Sequence, residues 1–279
     1  MCSGRRLRLI YNDIHLIAID LDGTLLDDDK TIPPSTIEVI KEIQAKGIYV
    51  TLASSRPFCS VVPYARQLGI SLPLITHGGA YIADYTGANI RLRQTLDRGA
   101  SLAVIKVLED HDYYLKVYCD DMLYVQEATR ETIAYSQQFG VEYRAVGRNN
   151  LTSLTESPIR LAVFDQPERI DDVRGLIQPW LTYFSISSDT DSGLEFVDCS
   201  VHKGQAVALV CAELGIPMAQ VMAIGNEGND IGMLKAVGFG IAMGNACPEV
   251  KQMASYITKS NHDFGVEHVL QKYILSITK

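Results

Sequence analysis

The chain has 279 residues, of which 47% are hydrophobic and 21% are charged, and its formal net charge is −8. This length exceeds a usual single domain of roughly 100–200 residues, so we expect one large or two moderate domains. The acidic balance argues against a general binder of nucleic acid or of anionic membranes, because both partners require a basic face.

The cellular location is predicted from what the sequence lacks. The N-terminal apolar run is too short for a signal peptide, and no stretch approaches the ~18 apolar residues of a membrane span. The six cysteines form no C-x-x-C pair, which predicts reduced thiols rather than a disulfide framework. We therefore expect a cytoplasmic protein.

Strands and helices alternate in residues 1–86. The apolar runs "HLIAID", "IYVTLAS" and "PLITHGGAYIAD" predict three buried strands. Between them, isoleucines recur at helical spacing after Ser35, which we assign as a helix cap, and a second helix ends at Gly69. Near-continuous apolar strands joined by helices are typical of a parallel sheet covered on both faces.

The pattern changes near residue 87. The segments "YYLKVYCDDMLYVQEA", "TYFSISS" and "GLEFVD" predict paired strands among helices, which indicates an antiparallel sheet with helices on one face. After residue 200 the first pattern returns, with the helix "KGQAVALVCAELG" and the strand "VMAIG". The predicted fold class is α/β, a Rossmann-like parallel sheet core of residues 1–86 and 198–279 with an inserted α+β domain at 87–197.

Polar side chains follow the predicted strands of this core. In an open α/β sheet, ligands bind beyond the carboxyl ends of the strands, so we expect these side chains to converge on one rim. They are Asp20, Asp22, Ser54, Ser55 and Arg56 after the first two strands, Lys203 before a helix, and Asn226, Asn229 and Asp230 after "VMAIG".

This set of residues suits phosphoryl transfer. A phosphate ester repels an attacking carboxylate, so a metal ion and a lysine must offset the charge. Oxygen ligands fit Mg²⁺. Asp20 can attack while touching the metal, Asp22 can protonate the leaving oxygen and later activate water, and Lys203 supplies positive charge. Each motif alone is weak, and D-x-D also occurs by chance and in glycosyltransferases; the order and placement of the motifs favour this chemistry.

Four stretches in order, "DLDGTLL", "ASSRP", the lysine of "HKGQAVALVCAELGI" and "MAIGNEGNDIGML", resemble the motifs of the haloacid dehalogenase (HAD) superfamily of phosphohydrolases. The sequence is most similar to the Cof-type sugar-phosphatase branch, which carries a large α/β cap between the second and third motifs. The resemblance covers nearly the whole chain. It implies that Asp20 is a nucleophile that forms an aspartyl-phosphate and that Asp22 is the general acid and base. It implies phosphate binding by Ser54, Ser55, Arg56, Lys203 and Asn229, and Mg²⁺ binding by Asp20, Asp22, Asn226 and Asp230.

Two positions depart from that pattern. Asn226 stands where the motif G-D-x-x-N-D has its first Asp, so the site keeps an oxygen but lacks one charge, which predicts weaker metal binding. Gly78 stands where the branch usually has Asn before Gly-Ala, so a polar contact near the site is lost.

Our leading hypothesis is a Mg²⁺-dependent phosphatase of small phosphorylated metabolites, with sugar phosphates as the expected substrates. A phosphosugar mutase of the same architecture and a non-catalytic phosphosugar-binding protein, inert because of Asn226, remain alternatives. A phospho-acceptor receiver domain would need only about one domain and would lack the inserted segment. Specificity should come from the cap, where the candidate residues are Lys116, Arg144, Arg148 and Arg160.

Overall fold

The structure is a computed structural model, and it describes residues 13–187 and 192–276. Its strands, in chain order, are β1 Leu16–Ile19, β2 Tyr49–Leu52, β3 Leu74–Thr76, β4 Tyr81–Ala83, β5 Ile90–Arg93, β6 Leu115–Cys119, β7 Met122–Val125, β8 Tyr143–Ala145, β9 Arg160–Phe164, β10 Phe184–Ser187, β11 Gly193–Asp198, β12 Val221–Gly225, β13 Phe239–Ala242 and β14 Tyr256–Ile257. Its α-helices are Pro34–Ala45, Phe58–Leu68, Arg98–Asp110, Arg130–Phe139, Pro167–Leu176, Lys203–Leu214, Ile231–Ala236, Pro248–Met253 and Gly265–Leu270.

A five-stranded parallel sheet forms the core, in the order β14-β13-β12-β1-β2. Strands β1 and β12 are buried along their whole length, which explains their apolar sequences. These two strands are neighbours in register from Leu16 with Val221 to Ile19 with Ile224, so their carboxyl ends lie side by side. The polar residues that come after them are therefore brought together although about 200 positions separate them in the chain.

A six-stranded sheet is built from the middle of the chain, in the order β10-β11-β9-β6-β7-β8. Its neighbours are antiparallel except β7 and β8, which are parallel. Helices Arg98–Asp110 and Pro167–Leu176 pack on one of its faces in an apolar cluster of their own. We call this sheet, together with the described helices between its strands, the cap. The predicted fold class, a parallel sheet core with an inserted α+β segment, is confirmed. The boundaries at residues 87 and 197 stay a prediction.

Two local predictions are wrong. The segment "PLITHGGAYIAD" is not one strand but the antiparallel pair β3 and β4, separated by a turn at His77–Gly79 in which both glycines have positive φ. The pair is extended by β5, a strand that was not predicted from the sequence. Ser35 is not the cap of the first helix, because Pro34 occupies the first helical position and the Ser35 hydroxyl donates to Glu267.

The cysteines of the described residues are all free thiols, as expected; Cys2 lies outside those residues. None of the described helices combines the length and the apolar character needed to cross a membrane.

Candidate active site

The Lys203 ammonium group joins two carboxylates at the carboxyl ends of β1 and β12. Its Nζ donates to Asp20 Oδ1 and to Asp230 Oδ1, both at 2.7 Å. All three side chains are buried, with Lys203 only 1% exposed. A buried cation between two carboxylates satisfies charges that would otherwise be costly in the interior, so these contacts fix the relative positions of three chain segments.

Burial and neighbouring charges shift the pKa values of both Asp20 and Lys203 in this triad. Burial, reinforced by the charge of Asp230, raises the pKa of Asp20 to about 7, although Lys203 acts in the opposite direction. Burial alone would lower the pKa of Lys203, but its two carboxylate partners raise it above the ordinary lysine value. Lys203 is therefore charged, and Asp20 would be stabilised as an anion by a further cation.

Asp22 is held by a bidentate ion pair with Arg56. Arg56 Nε donates to Asp22 Oδ2 at 2.6 Å and Nη2 donates to Oδ1 at 2.7 Å, while Lys30 Nζ donates to Oδ1 at 3.0 Å. Burial favours a higher pKa for Asp22, but these cations lower it below the ordinary value. The Arg56 guanidinium is also stacked under the cap, 4.5 Å from the ring centre of Phe139.

The loop after β12 is organised around Asp230. Its Oδ2 accepts hydrogen bonds from the main-chain N–H groups of Asn226 at 2.9 Å and Glu227 at 3.1 Å. A Cβ at Gly225 would lie 2.5 Å from Asp230 Cγ, so only glycine fits at the end of the strand. Since Oδ1 accepts from Lys203, both oxygens of Asp230 are engaged. The predicted role of Asp230 as a metal ligand stays a prediction.

Asn226 is buried and already hydrogen bonded. Its Oδ1 accepts from the Thr24 hydroxyl at 2.9 Å, and its Nδ2 donates to Glu227 Oε1 at 3.3 Å. Thr24 lies in the tight turn after β1, in which Gly23 has φ of 68°. The amide oxygen of Asn226 thus faces the turn that carries Asp22.

The predicted phosphate-binding residues line this same region. Ser54 is buried, and its hydroxyl accepts from the main-chain N–H of Arg56 at 3.1 Å. Asn229 Nδ2 donates to Ser55 Oγ at 3.0 Å. These contacts connect the end of β2 with the loop after β12, which the core sheet places on either side of β1.

A cavity of about 330 Å³ opens above these residues, and we call it the catalytic cavity. It is lined by Asp20, Asp22, Gly23, Ser54, Ser55, Arg56, Asn226, Glu227 and Asn229 from the core and by Tyr135, Phe139, Arg160 and Glu195 from the cap. The structure therefore brings together all the residues predicted from the strand ends, with Lys203 and Asp230 behind Asp20. Glu227, Tyr135, Phe139 and Glu195 were not predicted. Glu227 lies inside a quoted motif and could have been found there, whereas the cap residues carry no sequence signal.

Comparisons with known proteins agree with this geometry. Residues 17–270 match the family described as haloacid dehalogenase-like hydrolase. The chain is 30% identical to the 5-amino-6-(5-phospho-D-ribitylamino)uracil phosphatase YcsE of Bacillus subtilis, with 94% of this chain and 97% of that protein covered. It is 28% identical to the pyridoxal phosphate phosphatase YbhA of Escherichia coli, with 93% and 98% covered. A haloacid dehalogenase-like hydrolase from Bacteroides thetaiotaomicron superposes with a TM-score of 0.83 at 24% identity, covering 93% of this chain and 99% of that one.

The chain belongs to the haloacid dehalogenase-like hydrolase family. The resemblance of its four motifs to the Cof-type branch is thereby confirmed.

The four cap residues proposed for specificity lie in different places on this hydrolase. Arg160 lines the catalytic cavity, and Lys116 lies 4.3 Å from the ring centre of Tyr135, another lining residue. Arg144 and Arg148 are exposed and line other cavities. Arg160 is thus the candidate that the fold brings to the site.

The donor set of the catalytic cavity fits a hard divalent cation. Within residues 13–187 and 192–276, no three His, Cys, Asp or Glu side chains cluster in a way that would hold a metal ion. The site does offer oxygen donors in the Asp20 carboxylate and the Asn226 amide. Mg²⁺ typically binds one or two carboxylates and completes its shell with water and substrate phosphate. These donors are therefore of the right type, although the Asn226 amide supplies no negative charge.

Proposed function

We propose that this hydrolase is a Mg²⁺-dependent phosphatase of small phosphorylated metabolites that acts through an aspartyl-phosphate on Asp20. Its class as an enzyme, a phosphoric monoester hydrolase, follows from its family and from the phosphatases among its relatives. One observation carries the proposal. Asp20 opens into the catalytic cavity next to Asp22 and is held from behind by the buried Lys203 ammonium.

The chain's own residues account for the bonds and the protons of the two chemical steps. The Asp20 carboxylate attacks phosphorus, the bond to the leaving oxygen breaks, and Asp22 gives that oxygen its proton. Asp22, now a carboxylate, takes a proton from water, and the resulting hydroxide attacks the phosphorus of the aspartyl-phosphate. This releases inorganic phosphate and restores Asp20. The lowered pKa of Asp22 favours the carboxylate that the second step needs, and it opposes the protonated form that the first step needs.

Positive charge and hydrogen-bond donors for the phosphate are supplied by Ser54, Ser55, Arg56, Lys203 and Asn229 in this proposal. Asp20, Asp22, Asn226 and Asp230 would hold Mg²⁺, which when bound neutralises charge on the phosphate oxygens. In the resting geometry Arg56 is occupied by Asp22, so it would reach a phosphate only in part or after rearrangement.

Sugar phosphates are the proposed substrates. The catalytic cavity lies at the small end of the roughly 300–1,000 Å³ typical of small-molecule sites. Its polar core wall and the aromatic side chains of Tyr135 and Phe139 suit a hydroxylated leaving group with apolar faces. The relatives YcsE and YbhA are named for a phosphorylated ribityl compound and for pyridoxal phosphate, both small metabolites. A cytoplasmic location also stays a prediction.

The test is phosphate release from a panel of phosphorylated metabolites, with Mg²⁺ and after its removal by EDTA. We expect release that depends on Mg²⁺ and is lost in Asp20→Asn. Conversion of a sugar phosphate to its isomer without phosphate release would favour the mutase. Tight binding of sugar phosphates with neither reaction would favour the non-catalytic binder, and it would contradict the proposal.

A further inference from the structure

The tight turn Leu21–Leu25, which follows β1, carries Asp22 at its second position. Two main-chain hydrogen bonds close this turn. The N–H groups of Leu25 and Leu26 donate to the carbonyls of the residues five positions earlier, at 3.3 Å and 3.0 Å. Between these bonds, Asp22 and Gly23 have non-helical backbone angles. The main chain next to Asp22 therefore needs contacts from elsewhere to keep one position.

Two asparagines from other strands donate hydrogen bonds to this turn. Asn245, in the loop after β13, donates through Nδ2 to the Gly23 carbonyl at 2.8 Å. Asn261, in the loop after β14, donates through Nδ2 to the Leu26 carbonyl at 3.0 Å. The two asparagines are also joined, because the main-chain N–H of Asn261 donates to Asn245 Oδ1 at 3.1 Å. The chain is thus held directly after Asp22 and again where the turn ends.

The core sheet explains why these loops meet the turn. Its order β14-β13-β12-β1 places the carboxyl ends of four parallel strands at one edge, and Asn226, after β12, accepts from the Thr24 hydroxyl in the same turn. The loops after β13 and β14 contact each other, since the Gly244 N–H donates to the Lys259 carbonyl at 2.8 Å. A Cβ at Gly244 would lie 2.6 Å from the main-chain nitrogen of Ser260, so a side chain there would push the loops apart. Each strand from β12 to β14 therefore contributes one asparagine to the turn after β1.

The two donors differ in burial, and their contributions should differ accordingly. Asn261 is 9% exposed and its hydrogen bond to the Leu26 carbonyl is buried, so removal of the amide leaves a buried carbonyl without this donor. Asn245 is exposed, and water can replace its hydrogen bond to the Gly23 carbonyl. We expect the loss of Asn261 to loosen the turn more than the loss of Asn245.

We propose that Asn245 and Asn261 are positioning residues that hold the main chain at Asp22, so that its carboxyl group reaches the leaving oxygen. Arg56 orients the Asp22 carboxylate itself, whereas the two asparagines act on the main chain that carries it. The link to catalysis rests on the proposed function, in which Asp22 gives and takes the proton. The hold on the turn does not depend on that function, and it can be measured without substrate.

The first experiment measures hydrogen exchange of the Leu25 and Leu26 amides by NMR, in EDTA and without substrate. Exchange reports the opening of individual amides, so it detects a local loosening in a protein that stays folded. Asn261→Ala should accelerate exchange at these amides by roughly 5- to 150-fold, the effect of leaving a buried polar group unpaired. Asn245→Ala should accelerate it by roughly 2- to 10-fold, the effect of losing one ordinary hydrogen bond.

Two references separate a local effect from a global one. Ile40, buried in the helix Pro34–Ala45, should keep its exchange rate in both variants. Asn150→Ala is the matched control: it removes a hydrogen bond of the same kind, from Nδ2 to the Val146 carbonyl at 3.0 Å, between β8 and β9, and it should leave the turn unchanged. Unchanged exchange in the turn, or equal acceleration in the turn and at Ile40, would overturn the proposal. Because Asn245 is exposed, its variant keeps the test valid if Asn261→Ala folds poorly.

The second experiment tests whether the turn positions Asp22 for proton transfer. In both variants, kcat for glycerol 3-phosphate, whose leaving alkoxide needs a proton, should fall roughly 3- to 30-fold more than kcat for p-nitrophenyl phosphate, whose phenolate leaves without one. A loss of folded enzyme alone would lower both rates equally, and that result would contradict the positioning role. If the unmodified chain releases no phosphate, the proposed function fails and with it the catalytic role of these residues, whereas the exchange rates still decide whether Asn245 and Asn261 hold the turn.

Discussion

The Arg56 guanidinium donates two hydrogen bonds to the Asp22 carboxylate, of 2.6 Å and 2.7 Å. This pairing has a direct bearing on catalysis, because Asp22 is the proposed proton donor and acceptor. A forked, two-point contact fixes the plane of the carboxylate as well as its position. The ring of Phe139 from the cap contacts the same guanidinium, so Arg56 connects the cap to Asp22.

Arg56→Lys should therefore affect substrates according to their leaving groups. Lysine keeps the charge but makes a single-point contact, which leaves Asp22 free to rotate. Hydrolysis of glycerol 3-phosphate, whose alkoxide needs a proton, should fall roughly 10- to 100-fold, part of the 10²–10⁴ that general acid catalysis contributes. Hydrolysis of p-nitrophenyl phosphate, whose phenolate leaves without a proton, should change much less. Steady-state kinetics on both esters decide the matter.

The control for this variant is Arg66→Lys, at an exposed arginine in the last turn of the helix Phe58–Leu68, which follows Arg56 in the chain. This variant should change the rate of hydrolysis of neither ester. An equal loss on both esters in Arg56→Lys would contradict an effect through the proton that Asp22 gives to the leaving oxygen, because the two esters share every other step.

Lys203→Met should destabilise the protein by roughly 3–5 kcal/mol, because two buried carboxylates lose their common cation. The free energy of unfolding in urea measures this, with the exposed Lys235→Met as control. Adding Asp230→Asn should restore part of the stability, since one of the two uncompensated charges is removed. Activity should stay lost in the double variant. A single variant as stable as the parent would contradict the buried charge network.

Asp20→Asn should abolish phosphate release and change how stability depends on pH. The folded-state pKa of Asp20 is raised from about 3.8 to about 7, so the folded protein holds this proton more tightly than the unfolded chain. The stabilising contribution is full below pH 3.8 and is lost as pH rises through about 7. In EDTA, the parent should thus lose stability relative to Asp20→Asn between pH 4 and pH 8. Parallel pH profiles of the two proteins, measured by urea unfolding, would contradict the raised pKa.

Asn226→Asp should make the site more dependent on metal. The new carboxylate keeps the oxygen that accepts a hydrogen bond from Thr24. Its second oxygen replaces the amide group that donated to Glu227, so two carboxylates face each other. Without Mg²⁺ the midpoint of thermal unfolding should fall because of this repulsion. A charge-assisted contact worth about 1.5–3 kcal/mol should lower the half-saturating Mg²⁺ concentration by one to two powers of ten. If neither the unfolding midpoint nor the Mg²⁺ titration moves, Asn226 is not a metal position.

Local sequence was enough to predict the elements that carry the site. The buried runs at β1 and β12 are apolar along their whole length, and each is followed directly by its acidic loop, so both strands and the convergence of Asp20, Asp22 and Asn226 on one rim could be predicted. These signals are local, because each can be recognised in a short stretch of sequence. They are the apolar run of a strand, the glycine at its end and the polar residues that follow. The antiparallel division at His77–Gly79 was missed, because a short apolar run does not reveal a turn that two glycines permit.

The pairing of side chains, in contrast, depends on the tertiary structure. Arg56 was predicted to bind phosphate, and the fold pairs it with Asp22, 34 positions away. Residue order carries no sign that Glu195 meets Arg160 or that Phe139 covers Arg56, because those contacts arise from how the cap sheet and its helix pack over the core. Hydrogen bonds and ion pairs between distant residues depend on distances of a few tenths of an ångström, and packing sets those distances, whereas residue order along the chain does not.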